Sequence, residues 1–299
     1  MENRQASVKS ADPSKMKLDT LLAPYQKRIE SAIEQHVQAM GPKNILKDAC
    51  AYVLATPGKR LRPALVLMVQ EMLKPSFDAM SSALAIEFFH TASLIADDLP
   101  CMDDDDERRN RPSAHKKFGE ATALLASYAL IAEGYGLIAK NAAALPSKQD
   151  SVLQLALENS TFNTGIFGAT GGQLYDLMPP DRSEATIRRI IHMKTTSLFE
   201  ISFVFGWLFG GGDLDRLEDI KKTASHFGLG FQILDDLDDY ERDLRERGLN
   251  IAVELGIQKT KDLFASEMDA FRKSLRHLGI DSRALLTLAD IMESSISSD

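Results

Sequence analysis

Eleven consecutive positions, Asp97 to Glu107, hold six aspartates and one glutamate, and Arg108 and Arg109 follow at once. An apolar run from Ala83 to Ala96 leads directly into them. Carboxylates at that density repel one another, and a bound cation relieves the repulsion. Oxygen-only ligation suits Mg²⁺, which keeps several waters and takes a few carboxylates together with phosphate oxygens. For one such run, a solvated acidic loop is the plain alternative. A second motif changes the balance. Asp235, Asp236, Asp238 and Asp239 end another apolar stretch, Phe231 to Leu234. Asp235 and Asp239 are four apart, so on a helix they share a face, with Asp236 to the side. Two such motifs, more than a hundred residues apart, read as two walls of one cavity.

A basic turn adds the opposite charge. Lys59, Arg60 and Arg62 gather just before and after the entry to a helix, with Pro63 suited to its first turn. A helix N-terminus by itself favours negative charge. A bound anion such as diphosphate accounts for the placement. His90 lies seven residues before Asp97, two helical turns, so its ring is expected on the Asp97 face. Glu87 is the other polar interruption of that apolar helix. Lys194, the only charge between Arg189 and Glu200, is expected to be partly buried and paired.

The elements that must position these groups read as helices throughout. Apolar residues recur at helical spacing from Leu18 to Val37 and again from Ile45 to Leu54. Helices follow over Ala64 to Leu73, stopped by Lys74-Pro75, and over Phe77 to Ala96, nearly all apolar and therefore central. Pro100 breaks the chain there, and Ala114 to Gly119 reads as a connection. Further helices are expected over 120–141, 152–167, 168–177, 183–209, 217–239, 251–256, 263–278 and 282–296. Tyr240 to Gly248 reads as a charged loop. Gly171 and Gly172, costly inside a helix, suggest close approach of a ligand or another backbone. There is no persistent period-two pattern and no nucleotide-binding glycine loop. The expectation is an all-α domain over residues 15–299, with about ten or more helices, after a disordered polar tail at 1–14.

Composition excludes several classes. The 299 residues are 44% hydrophobic and 26% charged, with a net charge of −8 and no basic stripe, which argues against nucleic acid. Cys50 and Cys101 have no zinc or redox spacing, and two cysteines fit a reducing compartment. Met1 to Lys17 has no apolar signal region, and no uncharged run of about eighteen residues predicts a membrane span. The expected location is cytoplasmic.

With those segments in place, the chain resembles the trans-isoprenyl (polyprenyl) diphosphate synthases, most of all the short-chain farnesyl and geranylgeranyl branch. Five pieces carry the resemblance in the family's order between Gly58 and Gly256: Gly58 to Pro63, His90 to Asp106, Gly171-Gly172-Gln173, Lys194-Thr195, and Phe231 to Asp239. Departures are Ala96 where a histidine is common, Asn110-Arg111-Pro112 after the paired arginines, and no clear counterpart of a lysine expected after the second motif. Arg245 and Arg247 are left unassigned there.

The resemblance implies a helical bundle of isoprenoid synthase type around a central apolar cavity. It implies Mg²⁺, three ions per site, held by Asp97, Asp98 and Asp103 on one side and by Asp235, Asp236 and Asp239 on the other. An allylic diphosphate (dimethylallyl, geranyl or farnesyl) would bind between them, with Arg108 and Lys194 adding positive charge. Isopentenyl diphosphate would occupy a metal-free pocket of Lys59, Arg62, His90 and Arg109. Thr195, Gln173 and Gln232 would stabilise the allylic cation. The residue five before Asp97, which can floor the product tunnel, is Ala92, beside Ser93. Phe88 and Phe89 lie one turn deeper, about 5.4 Å along the helix. That points to geranylgeranyl rather than farnesyl diphosphate, and farnesyl diphosphate as sole product is the alternative. A class I terpene cyclase would lack the isopentenyl pocket, and a non-catalytic partner subunit would have lost motif aspartates. A homodimer is implied, and it requires an exposed apolar helix face.

Overall fold

In the computed structural model, residues 17–73, 76–246, 248–279 and 282–296 are described. The expected 1–14 tail and the Lys74-Pro75 stop lie outside them. Fifteen α-helices run among these residues: α1 Leu18–Ala39, α2 Ile45–Leu54, α3 Leu61–Leu73, α4 Met80–Asp97, α5 Ala114–Phe118, α6 Glu120–Ala143, α7 Gln149–Thr164, α8 Ala169–Leu177, α9 Glu184–Ile191, α10 Ser197–Phe209, α11 Leu217–Asp238, α12 Tyr240–Glu246, α13 Ile251–Leu255, α14 Ile257–His277 and α15 Arg283–Ile296. A π-helical turn, His192–Thr196, joins α9 to α10.

Three helices, α2, α9 and α13, start where a short polar side chain accepts from a first-turn amide. Asn44 accepts from the Lys47 amide and Ser183 from the Thr186 amide, contacts that contribute about 1 kcal/mol each. Asn250 accepts from both the Ala252 and Val253 amides at the start of α13.

Two helices form the centre. In α10 every residue except Glu200 is buried, and α4 is buried along most of its length. α10 packs on α3, α11, α7 and α4, while α4 packs chiefly on α6 and α3. Phenylalanines from three helices meet between them. Phe199 stands edge-on to Phe227 at 5.2 Å, and Phe203 edge-on to Phe271 at 6.0 Å. Each such pair adds about 0.5–1.5 kcal/mol beyond its burial.

Three expectations need correction. The helix expected from Phe77 starts at Met80, where the Asp78 carboxylate accepts from the Met80 amide. The charged stretch after Asp239 is a helix, α12, whose acidic first turn and basic last turn both favour the helix dipole. The connection before Gly119 contains the short helix α5. The described residues also hold one antiparallel strand pair, β1 Glu107–Arg108 and β2 Arg111–Pro112. Arg109 and Asn110 both sit at left-handed backbone angles, φ 55° and 60°, as a two-residue hairpin turn requires.

α6 passes for a membrane span by length and composition alone, but Glu133 and Lys140 interrupt it, so it holds no uncharged run of the length the sequence reading required. It packs on α4 with one face and exposes Leu124, Leu125, Tyr128 and Ile131 on another. Beside it, Phe162, Ile166 and Phe167 at the end of α7 are also exposed, with Phe162 and Phe167 stacked 5.5 Å apart.

The α3–α10 contact depends on a missing side chain. A Cβ at Gly206 would lie 2.6 Å from the Val66 carbonyl oxygen and 2.6 Å from the Val69 Cβ. Gly206→Ala is expected to cost about 1–3 kcal/mol and to lower Tm. An unchanged thermal unfolding curve would show that the two helices can separate without cost.

Candidate active site

The first aspartate motif is shaped by a tight turn. The Asp103 amide donates to the Asp97 carbonyl at 2.9 Å, and the Met102 amide to that of Leu99 at 2.8 Å. The chain therefore doubles back, and Asp103 lies close enough to raise the pKa of Asp97. Burial pushes the Asp97 carboxyl up to about 6, and Asp103 and Asp98 add to this; Lys194 and Arg108 oppose it. Asp98 turns the other way. It is buried and accepts from Arg108, whose Nε lies 2.8 Å away. Arg108 also pairs with Asp105 at 3.0 Å. Further along the acidic loop, Asp104, Asp106 and His115 bring potential ligand atoms within 4.8 Å of one another, and Lys116 pairs with Asp106.

The basic pocket forms at the entry to α3. A cavity of about 510 Å³ is lined by Lys59, Arg62, His90, Arg109, Thr195, Gln232 and Asp235, among others. His90 Nε2 lies 3.5 Å from Arg62 Nη1. Burial holds the His90 ring neutral, its pKa well below the usual range, and Arg62, Arg109, Arg60 and Arg108 reinforce this. Burial also lowers Arg62 to about 10, which leaves it charged at neutral pH. Arg109 Nη1 donates to the Pro57 carbonyl at 3.0 Å. That approach needs Gly58, where a Cβ would lie 2.1 Å from Arg109 Nη1.

Of the second motif, Asp235 lines this cavity, whereas Asp236 and Asp239 line a smaller one. Burial pushes Asp235 up to about 6, with Lys59 opposing and Asp236 and Asp239 adding. Asp236 is also raised to about 6 by burial, but it is tied into the fold. Its Oδ1 accepts from Gln232 Nε2 at 2.7 Å and its Oδ2 from the Ile251 amide at 2.7 Å. Gln232 Oε1 in turn accepts from Thr195 Oγ1 at 2.7 Å. Thr195 and Gln232 also line a second cavity, of about 190 Å³, with Lys194, Asp236, Asp239 and Arg242. Lys194, on the π-helical turn, donates to Asp176 Oδ2 at 2.5 Å. It is also the strongest opposing charge at Asp97. Lys194 therefore acts on the first motif while sharing a cavity with Asp236 and Asp239 of the second. Both polar atoms of the Gln173 side chain are buried without a hydrogen-bond partner.

Gly171 and Gly172 serve close backbone approach. A Cβ at Gly172 would lie 2.4 Å from the Lys194 amide nitrogen, so α8 packs directly on the turn that presents Lys194. Two residues escaped sequence reasoning. Asp176 holds Lys194; the signal was its spacing three residues after Gln173 on the same helix. Arg242 pairs with Asp239 at 2.7 Å; it was hidden by reading α12 as a loop. Arg245 donates to the Glu241 carbonyl instead, and Arg247 lies outside the described residues.

Below the first motif, Ala92 is buried and its carbonyl accepts from Ser127 Oγ at 2.9 Å. Ser93 is half-buried and bonds back to the His90 carbonyl. Phe88 and Phe89 diverge. Phe88 packs edge-on against His36 of α1 at 5.3 Å, whereas Phe89 meets Tyr135 of α6 at 5.1 Å.

A helical bundle that turns carboxylates and guanidinium groups toward common cavities is built to hold diphosphates. The chain belongs to the polyprenyl synthetase family, whose profile matches residues 43–256. It is similar to the farnesyl diphosphate synthase of Bacillus subtilis, 37% identical over 230 residues, covering 75% of this chain and 76% of that protein. It is also 34% identical over 283 residues to the chloroplastic geranylgeranyl pyrophosphate synthase of Capsicum annuum, covering 88% and 74%. The crystal structure of a geranyltransferase from Legionella pneumophila superposes with a TM-score of 0.81 at 27% identity, over 94% of this chain and 98% of that one.

The raised carboxyls set a pH dependence. In metal-free protein, folded Asp235 keeps its proton up to about pH 6, whereas the unfolded chain loses it near pH 4. This group therefore favours the folded state below about pH 4 and ceases to do so as pH rises to about 6. With chelator present, Asp235→Asn is expected to raise Tm at pH 7.5 and to leave it unchanged at pH 4. An equal gain at both values would exclude the charge as the cause.

Proposed function

We propose that the chain is a magnesium-dependent short-chain trans-prenyltransferase that condenses isopentenyl diphosphate with allylic diphosphates, with geranylgeranyl diphosphate as its product. One observation carries this reading. A cationic pocket of Lys59, Arg62, His90 and Arg109 shares its cavity with Asp235, Thr195 and Gln232. A single-substrate cyclase has no need of a second anion pocket beside its carboxylates.

The residues present fit magnesium. The donors at both motifs are carboxylates, and burial makes Asp97 and Asp235 reluctant to ionise without a compensating cation. Asp97 and Asp103 would hold the ions on one wall, and Asp235 and Asp239 on the other. Asp98 and Asp236 bind Arg108, Gln232 and the α13 amide, and so orient their neighbours. When bound, magnesium neutralises charge developing on the leaving diphosphate. Lys194, steadied by Asp176, adds a fixed positive charge at the same place, and Arg108 supports it from the hairpin. The basic pocket holds the isopentenyl diphosphate, and its neutral His90 donates a hydrogen bond rather than a charge. The isopentenyl double bond then attacks the allylic carbon, with carbocation character stabilised by the oxygens of Thr195, Gln232 and Gln173. The released diphosphate removes the final proton.

Product length rests on α4. Ala92 leaves the wall open five residues before Asp97, and Phe89, braced by Tyr135, provides the floor one turn deeper. The exposed apolar face of α6 with Phe162, Ile166 and Phe167 supports a homodimer, the arrangement that would cover it.

Radiolabelled isopentenyl diphosphate with each of three allylic primers should give geranylgeranyl diphosphate from all of them. Allylic diphosphate alone should give no hydrocarbon or alcohol; its formation would indicate a cyclase. Ala92→Tyr should shorten the product to farnesyl diphosphate, and an unchanged product distribution would remove Ala92 as a determinant. Asp235→Ala should lower kcat at least a hundredfold at saturating magnesium.

A further inference from the structure

We propose that Glu87, acting through Arg60, is a positioning residue for the metal-free diphosphate pocket. The inference rests on the reading of that pocket as the isopentenyl diphosphate site.

Glu87 lies inside α4, one turn before His90, with its side chain 4% exposed. Arg60 is 3% exposed at its side chain and pairs with Glu87 at 2.5 Å. Its other terminal nitrogen donates to the carbonyls of Leu54 at 2.6 Å and Thr56 at 3.0 Å. The end of α2, the basic turn and α4 are thus joined at one guanidinium, a geometry that lysine's single ammonium cannot reproduce. The backbone at Arg60 is left-handed, φ 50°. That conformation is disfavoured for a side-chain-bearing residue, so the buried side chain helps to hold it. Lys59 and Arg62 flank this point and line the cavity. Their directions therefore depend on where Arg60 is anchored.

Charge argues the same way. Arg109 raises the cost of charge on Arg62, Arg60 and Arg108 do the same for Arg109, and Glu87 favours the charge on both. Glu87 is thus a buried counter-charge for three guanidinium groups that would otherwise repel. Other bonds brace the turn but carry no negative charge: Gln26 Nε2 to the Lys59 carbonyl at 3.1 Å, Arg109 to the Pro57 carbonyl, and Arg111 Nη1 to Thr56 Oγ1 at 3.2 Å. Without Glu87 the cations would spread before substrate arrives, and binding would have to reassemble them.

The test uses the full chain and inorganic diphosphate in EDTA at pH 7.5, where the carboxylate walls cannot recruit metal. Steady-state kinetics of both substrates accompany the calorimetry. Glu87→Gln and Arg60→Lys should each weaken diphosphate binding at least tenfold and raise KM for isopentenyl diphosphate by a similar factor. The allylic KM should move less than twofold and kcat at saturation less than threefold. Glu87→Asp, which keeps the charge, should recover part of the loss. Wild-type affinity and KM in folded Glu87→Gln would overturn the proposal, as would an equal decline in kcat and both KM values. If Glu87→Gln does not fold, the double variant Glu87→Gln/Arg60→Gln removes the stranded charge; it should still bind diphosphate at least tenfold more weakly, and wild-type binding would overturn the proposal. Failure of the unmodified protein to bind diphosphate in EDTA would instead overturn the reading of the pocket itself, and this inference with it.

Discussion

Charge withdrawn from water is the constraint on which the rest of the structure depends. Asp97 and Asp235 are pushed up to about 6 by burial, and Arg62 is lowered to about 10 by the same cause. Each group pays for its position with solvation it cannot recover from the protein alone. An acidic wall and a basic wall held apart in this way attract opposite things, cations on one side and an anion on the other. In the proposed function, a diphosphate with bound divalent cations would satisfy the acidic wall and a bare diphosphate the basic one. The proposed asymmetry between two diphosphate substrates would follow from which wall each meets.

Holding unfavourable charges in place requires a stiff frame. The groups come from helix ends and short turns braced by neighbours. Asp97 ends α4, Asp235 lies in the last turn of α11, and Lys194 sits on a π-helical turn beneath α8. Burial of α4 and α10 supplies the rigidity, because close-packed interiors do not deform to relieve local repulsion. The aspartates that do not face a cavity freely are used to build it. Asp98 fixes the hairpin through Arg108, and Asp236 fixes α13 and the Gln232–Thr195 chain. An aspartate-rich motif is therefore part proposed ligand set and part scaffold.

The apolar surface follows a second logic. α6 is hydrophobic on more sides than its contacts with α4, α2, α5 and α7 cover. A wide apolar face left in water is costly, and the proposed dimer would remove that cost. The same helix meets Phe89 through Tyr135 and Gly134. α6 thus carries the proposed dimer face and braces the proposed tunnel floor, Phe89 of α4.

The sequence by itself determined the helical class and the family, and it supplied the residues of the candidate site. Period and caps place most helices within a few residues, because amphipathic spacing and capping are local properties. The aspartate pairs, the basic turn at 58–63 and the Gln173, Lys194 and Gln232 positions were visible for the same reason: residue type and spacing are written along the chain. Only the tertiary structure decided which way each group points. Asp97 and Asp98 are neighbours in sequence yet face different partners, and Phe88 and Phe89 diverge toward α1 and α6. The pairing of Arg60 with Glu87 across 27 positions and that of Lys194 with Asp176 across 18 depend on contacts between distant segments. Their energies arise from burial and charge proximity in three dimensions, which no local window of sequence contains.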